Sequence, residues 1–242
     1  MNDVEAAKII IGCLDLTSLE SKDTEAKIER LCEKAKANNV AAVCTHIKFI
    51  HLAQKCLKNT DVKIATVVNF PEGKTDFKKT KEEIKEALKS GAEEIDAVFP
   101  YKEFLKGNTQ ICEDFLKMLT DECKKATTKV VLETGELQKA SLIYEASKLC
   151  INAGVGFIKT STTRSPVAAT PEAANAILET LASLKSHTGF KASGGIKTIE
   201  DAKKYVTLAQ LIMGTKWIKP QNFRIGASAL LDNLLQIIER GY

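Results

Sequence analysis

Two lysines close short apolar runs. One is Lys159 in Gly154-Val155-Gly156-Phe157-Ile158-Lys159-Thr160-Ser161, the other Lys191 in Gly189-Phe190-Lys191-Ala192-Ser193-Gly194-Gly195. Lysine is seldom buried unless something pairs with it. At the end of a buried strand, desolvation pushes an amine toward its neutral form, and a neighbouring cation pushes it further. Two such lysines suggest a neutral amine nucleophile, kept neutral by its partner. The alternative is that both snorkel from strand ends to solvent. A third candidate is Asp96, mid-run in Glu94-Ile95-Asp96-Ala97-Val98-Phe99. Strand alternation turns it inward if Glu94 points inward. A carboxylate among apolar neighbours needs a cation, which Lys159 or Lys191 can supply. The competing reading is a salt bridge that only fixes the interior.

Elements must carry these groups to one place. Apolar runs predict strands over 9–14, 40–44, 62–68, 94–99 and 129–132, over the run ending at Lys159, and over 189–192 and 209–213. Amphipathic stretches between them predict helices from Asp23 to a stop at Asn38-Asn39, and over 76–88, 111–126 and 140–153. A further helix is capped by Thr170-Pro171 and another by a Thr198-x-x-Asp201 box, and the last runs from about 225 to 239. Eight strand–helix units with short connections imply a parallel sheet with right-handed crossovers. In 242 residues they point to an α/β fold, a single-domain (β/α)8 TIM barrel over 1–242. A doubly wound open sheet is the alternative, but no Gly-x-Gly-x-x-Gly follows the first strand.

Composition narrows the function classes. Hydrophobic residues make up 44% and charged ones 27%, the balance of a globular domain. No apolar run is long enough to span a membrane, and the N-terminus lacks a secretory pattern. The net charge of +4 comes from lysines interleaved with glutamates, which argues against nucleic acid but leaves cations to draw in an anionic small molecule. Seven scattered cysteines without a Cys-x-x-Cys pair read as free thiols in a reducing cytoplasm. His46 and His51 are five apart, and neither a metal site nor a cofactor site is indicated.

In a barrel the chemistry collects at the C-terminal ends of strands. The polar residues there are Asp15, Cys44 with Thr45, Asn69, Glu133, Lys159 with Thr160 and Ser161, and Lys191 with Ser193. Ser193-Gly194-Gly195 after the seventh strand, and Gly226-Ala227-Ser228 opening the last helix, offer small residues and backbone N–H groups to an anion. Their placement together predicts a phosphate site.

The motifs Asp15-Leu16-Thr17, Asn69-Phe70-Pro71, Glu94 to Pro100, Glu133-Thr134-Gly135-Glu136-Leu137, Phe157-Ile158-Lys159-Thr160-Ser161-Thr162, Lys191-Ala192-Ser193-Gly194-Gly195 and Gly226-Ala227-Ser228 occur in one order over nearly the whole chain. Together they resemble the 2-deoxyribose-5-phosphate aldolase family. The resemblance implies a class I, metal-independent aldolase that cleaves 2-deoxy-D-ribose 5-phosphate to D-glyceraldehyde 3-phosphate and acetaldehyde, reversibly. It implies Lys159 as the Schiff-base lysine, Lys191 as the neighbour that lowers its pKa, and Asp96 as a proton-transfer carboxylate acting with water. Asp15, Cys44, Thr160, Ser193, Gly194, Gly195, Gly226 and Ser228 would contact substrate. The partners implied are a sugar phosphate and an aldehyde, with the chain a homodimer or homotetramer.

One position departs from the pattern. Thr163 stands where the family usually has a glycine at the phosphate, and Arg164 beside it could supply a charge-assisted bond instead. Cys44 corresponds to a pocket-lining cysteine, the other reading being a packed thiol. Tyr242 ends the chain, as a tyrosine does in some family members where it reaches the site, although terminal fraying is the simpler expectation. Two other functions fit parts of the pattern: a Schiff-base aldolase of the transaldolase or keto-acid type, and a non-catalytic sugar-phosphate binder. The paired lysines with Asp96 argue against the first, and a binder has no need of a neutral lysine.

Overall fold

The computed structural model describes residues 2–241. Eight parallel strands close into a barrel in sequence order: β1 (Leu14–Thr17), β2 (Ala42–Thr45), β3 (Lys63–Val68), β4 (Glu94–Val98), β5 (Thr127–Val131), β6 (Phe157–Lys159), β7 (Gly189–Ser193) and β8 (Phe223–Ala227). β1 pairs with β8 to complete the ring. The helices are α1 (Asp3–Gly12), α2 (Glu25–Ala37), α3 (Ile50–Cys56), α4 (Phe77–Ser90), α5 (Tyr101–Leu105), α6 (Thr109–Glu122), α7 (Thr134–Leu137), α8 (Ala140–Asn152), α9 (Pro171–Ser183), α10 (Ile199–Met213) and α11 (Leu230–Arg240). Among the described residues, no helix is long and apolar enough to cross a membrane.

The (β/α)8 expectation holds, with three local corrections. Residues 9–12 do not belong to the first strand but end α1. The Asn2 side chain accepts from the Glu5 N–H while the Glu5 carboxylate caps Asn2, and Ala6, Ala7, Ile10 and Ile11 face the core at helical spacing. Three consecutive isoleucines fit either period, so the cap decides. Residues 209–213 are the last turns of α10, ended by Gly214 at φ 90°, and the eighth strand lies further on at Phe223–Ala227. Gly226 and Ala227 accordingly end a strand, and α11 opens at Leu230. Thr170 and Thr198 cap as expected, each accepting a backbone N–H at a helix start, and Asp201 completes the Thr198 box; Thr24 and Asp76 cap α2 and α4 in the same way.

Strand alternation divides the molecule. Leu14, Leu16, Ile95, Ala97, Val130, Ile158, Phe190, Ala192, Phe223 and Ile225 join the main core under the helices. Asp15, Glu94, Asp96, Lys129, Lys159, Lys191 and Arg224 take the alternate positions and fill the barrel interior. Opposite them, Ala42, Cys44, Ala65 and Val67 form a small separate cluster with Leu19. One side of the barrel interior is thus apolar and the other ionic.

Candidate functional site

Strand pairing sets the geometry. Asp96 on β4 is level with Lys129 on β5, Lys159 on β6 with Lys191 on β7, and Lys191 with Arg224 on β8. Asp96 is the hub, fully buried. Its Oδ2 accepts from Lys159 Nζ at 2.9 Å and from Lys191 Nζ at 2.8 Å, and its Oδ1 from Lys129 Nζ at 2.9 Å. Lys191 Nζ also donates to Asp15 Oδ2 at 2.5 Å. The other Asp15 oxygen accepts from Arg224 Nη1 at 2.5 Å. Glu94 receives Arg224 Nη2 at 2.9 Å and lies 2.5 Å from Lys129 Nζ. Arg224 is steadied by the Pro220 carbonyl and by the Phe157 ring.

Burial alone would raise the Asp96 and Asp15 carboxyls. It is overcome by Lys129, Lys191 and Lys159 around Asp96, and by Lys191, Arg224 and Lys129 around Asp15, so both stay below the ordinary aspartate range. Burial likewise opposes charge on Lys191, yet Asp15 and Asp96 outweigh it and hold the ammonium above the usual lysine value. Lys129 is raised in the same way by Asp96, Glu94 and Asp15. In the resting site, therefore, Lys191 and Lys129 are cations and the aspartates are anions.

Above this cluster lies a cavity of about 350 Å³. Lys159 is at its wall, and Ser193, Gly194, Gly195, Gly226, Ala227 and Ser228 line it, as do Thr163, Arg164 and Lys197. Gly194 and Gly195 have φ of 107° and 76°, so the chain can turn there only with glycine at little cost. Gly226 is needed for another reason: a Cβ there would stand 3.0 Å from Lys191 Cε and from Ser193 Oγ. Its bare backbone leaves the path for the lysine stem.

The structure brings Lys159, Lys191, Asp96 and Asp15 together and sets the Ser193-Gly194-Gly195 and Gly226–Ser228 segments on the same cavity. Thr160 is placed differently. Its hydroxyl donates to the Ser193 carbonyl and accepts from the Ser193 N–H, pinning the ends of β6 and β7 together beneath the rim. Cys44 is buried in the apolar cluster, its thiol pushed up to about 11 by burial, and it is not among the cavity-lining residues. Arg164 crosses the cavity mouth, donating to the Leu19 carbonyl at 2.6 Å beside Glu20. Glu133, left-handed at φ 56°, receives the Thr162 N–H and hydroxyl and so holds the start of that loop. Tyr242 lies outside the described residues.

Sequence reasoning did not single out Lys129, Glu94 and Arg224 as members of this cluster. The available signal was alternation: Glu94 sits two before Asp96, and Arg224 sits between Phe223 and Ile225. The apolar pattern predicts the eighth strand at 209–213, which leaves Arg224 outside any predicted strand.

The model of the DeoC/LacD family of aldolases matches residues 9–236. Among solved structures, a candidate deoxyribose-phosphate aldolase from Coccidioides immitis is 30% identical, with a TM-score of 0.86 over 96% of this chain and 86% of that one. The aldolase QR15 is 28% identical, with a TM-score of 0.83 over 96% and 97%. The deoxyribose phosphate aldolase of Aeropyrum pernix, described as a tetramer, is 21% identical, with a TM-score of 0.76 over 99% and 98%, a likeness of fold.

Proposed function

The chain belongs to the DeoC/LacD aldolase family, and from that premise we propose that it works as a class I aldolase on 2-deoxy-D-ribose 5-phosphate, with Lys159 as the Schiff-base lysine. The observation that carries the proposal is the shared contact at Asp96 Oδ2. One oxygen receives both Lys159 and Lys191, and only Lys159 of the buried lysines lines the cavity.

The chemistry follows from that arrangement. Uncharged Lys159 Nζ attacks C1 of the open-chain sugar, and loss of water from the resulting carbinolamine gives an iminium. Lys191, a held cation beside the reacting nitrogen, can give the leaving hydroxyl its proton and recover it through Asp96. Removal of the C3 hydroxyl proton breaks the C2–C3 bond, releases glyceraldehyde 3-phosphate and leaves the bonding electrons in an enamine. Protonation at C2 and hydrolysis then release acetaldehyde and restore Lys159. Asp15, itself anchored by Arg224, keeps Lys191 in place and, as the family resemblance implies, would orient a sugar hydroxyl.

The phosphate would lie at the Ser193-Gly194-Gly195 and Gly226–Ser228 rim, where glycine backbones expose N–H groups and Lys197 and Arg164 add charge. We extend the proposal to catabolism of deoxyribose phosphate in a reducing compartment such as the cytoplasm, supported by seven free cysteines. A homo-oligomer is part of it, on the analogy of the tetramer described for the Aeropyrum pernix protein.

The test is incubation with deoxyribose 5-phosphate and cyanoborohydride, followed by peptide mass spectrometry. A single adduct on Lys159, absent from Lys159→Leu, is the expected outcome. An adduct on Lys191 would exchange the two roles, and a folded protein with no adduct would end the aldolase proposal.

A further inference from the structure

The ion-paired side chains inside the barrel are unequal in number. Asp15, Glu94 and Asp96 face four bases: Lys129, Lys159, Lys191 and Arg224. All seven are buried, so an unmatched charge among them is costly. Arg224 cannot give up its proton. Lys129 has three carboxylates around it, at 2.5 Å (Glu94), 2.9 Å (Asp96) and 3.7 Å (Asp15). Lys191 has two, at 2.5 Å (Asp15) and 2.8 Å (Asp96). Lys159 has one, Asp96, whose Oδ2 it shares with Lys191. Three carboxylates are matched by three cations, and the base with the weakest hold on a carboxylate is the one facing the cavity.

We propose that Lys129 is a positioning residue for imine formation: seated among Glu94, Asp96 and Asp15, it supplies the third matching cation and so leaves Lys159 as the uncharged amine. This rests on the assignment of Lys159 as nucleophile. Lys129 does not line the cavity and reaches Lys159 only through the buried carboxylates, of which Asp96 pairs with both lysines. Other groups face the pair as well. Cys44 on β2 faces Asp96 and all three lysines but holds its proton, its thiol being pushed up to about 11 by burial. Glu133 at the end of β5 faces Lys159 and is bonded to Thr162, and its contribution is the same in every variant compared below.

Each change in the count has a sign. Lys129→Met leaves three carboxylates and two fixed cations, so Lys159 keeps its proton as the third. Glu94→Gln leaves two carboxylates, so Lys159 loses its proton more readily. The double variant restores equality.

The experiment is the initial rate of acetaldehyde trapping by cyanoborohydride on Lys159, followed by peptide mass spectrometry across pH, with reagent effects common to all proteins. In Lys129→Met the midpoint of the rise should move up by about one pH unit or more, the scale of a lost buried neighbour charge. In Glu94→Gln it should move down, and in the double variant it should return toward wild type. Lys129→Arg should keep the wild-type midpoint. A role in stability alone would lower the melting temperature and leave every midpoint in place, which would overturn the proposal. If Lys129→Met does not fold, the isosteric Glu94→Gln decides: an unchanged or raised midpoint overturns it. Failure of wild type to form any Lys159 adduct would instead remove the aldolase assignment beneath it.

Discussion

Lys159 and Lys191 have nearly the same local sequence, yet their surroundings differ. Lys191 sits between two aspartates and is held as a cation, whereas Lys159 has half a share in one aspartate and an open side toward the cavity. The residue types were legible in the sequence, because a lysine after an apolar run is conspicuous. The asymmetry was not, since it depends on Asp15 and Arg224 arriving from strands β1 and β8. Arg164 shows the same limit. Its position beside Thr163 was readable, but its hold on the Leu19 carbonyl depends on a loop about 145 residues away in sequence. For a guanidinium at the mouth of the cavity, Arg164→Ala should raise KM for deoxyribose 5-phosphate more than for unphosphorylated deoxyribose. Steady-state kinetics on the two sugars checks this, and equal effects would mean that Arg164 only ties the two loops together.

At the scale of elements, the helices with explicit caps were legible and the extremes of the chain were not. Thr170-Pro171 and Thr198-x-x-Asp201 start α9 and α10 where their side chains satisfy free N–H groups. Thr198→Ala removes the acceptor for the Asp201 N–H and should cost about 1 kcal/mol, a loss of about 2–4 °C in melting temperature for a chain of this size. Calorimetry on the variant reads it, with trapping at Lys159 unaffected. The misplacement of the eighth strand has a physical cause. Residues 209–213 are apolar enough for a strand, while Phe223–Ala227 carries a buried arginine at its second position. An arginine inside a strand interrupts the apolar run by which a strand is recognised.

For the molecule as a whole, buried ionisable groups set the pH range of stability. Asp15 and Asp96 are depressed in the folded state, so their contribution is present above the ordinary 3.8 and is lost only as pH falls through their lower folded values. The buried thiols work the other way. Burial pushes Cys44 up to about 11 and Cys13, Cys32, Cys112 and Cys123 up to about 12, from an ordinary 9.0. Their contribution is complete below 9.0 and declines as pH rises toward those values, because the unfolded chain then releases protons that the folded one retains. The melting temperature should therefore be nearly level from about pH 5 to about pH 8.5 and fall steadily above that. A level melting temperature up to pH 11 would show that the thiols are already ionised in the fold. The charged interior also has a consequence for how the barrel closes. Side chains on a strand alternate, so a slip of one residue in β4, β5, β6, β7 or β8 would turn Asp96, Lys129, Lys159, Lys191 or Arg224 out among the leucines and phenylalanines under the helices. Such a slip would strand its partners as lone charges in the middle. An oily interior would tolerate many near-equivalent zippings, but this one is satisfied by a single alignment, so the side chains that would perform the chemistry also proofread the assembly of the strands that carry them.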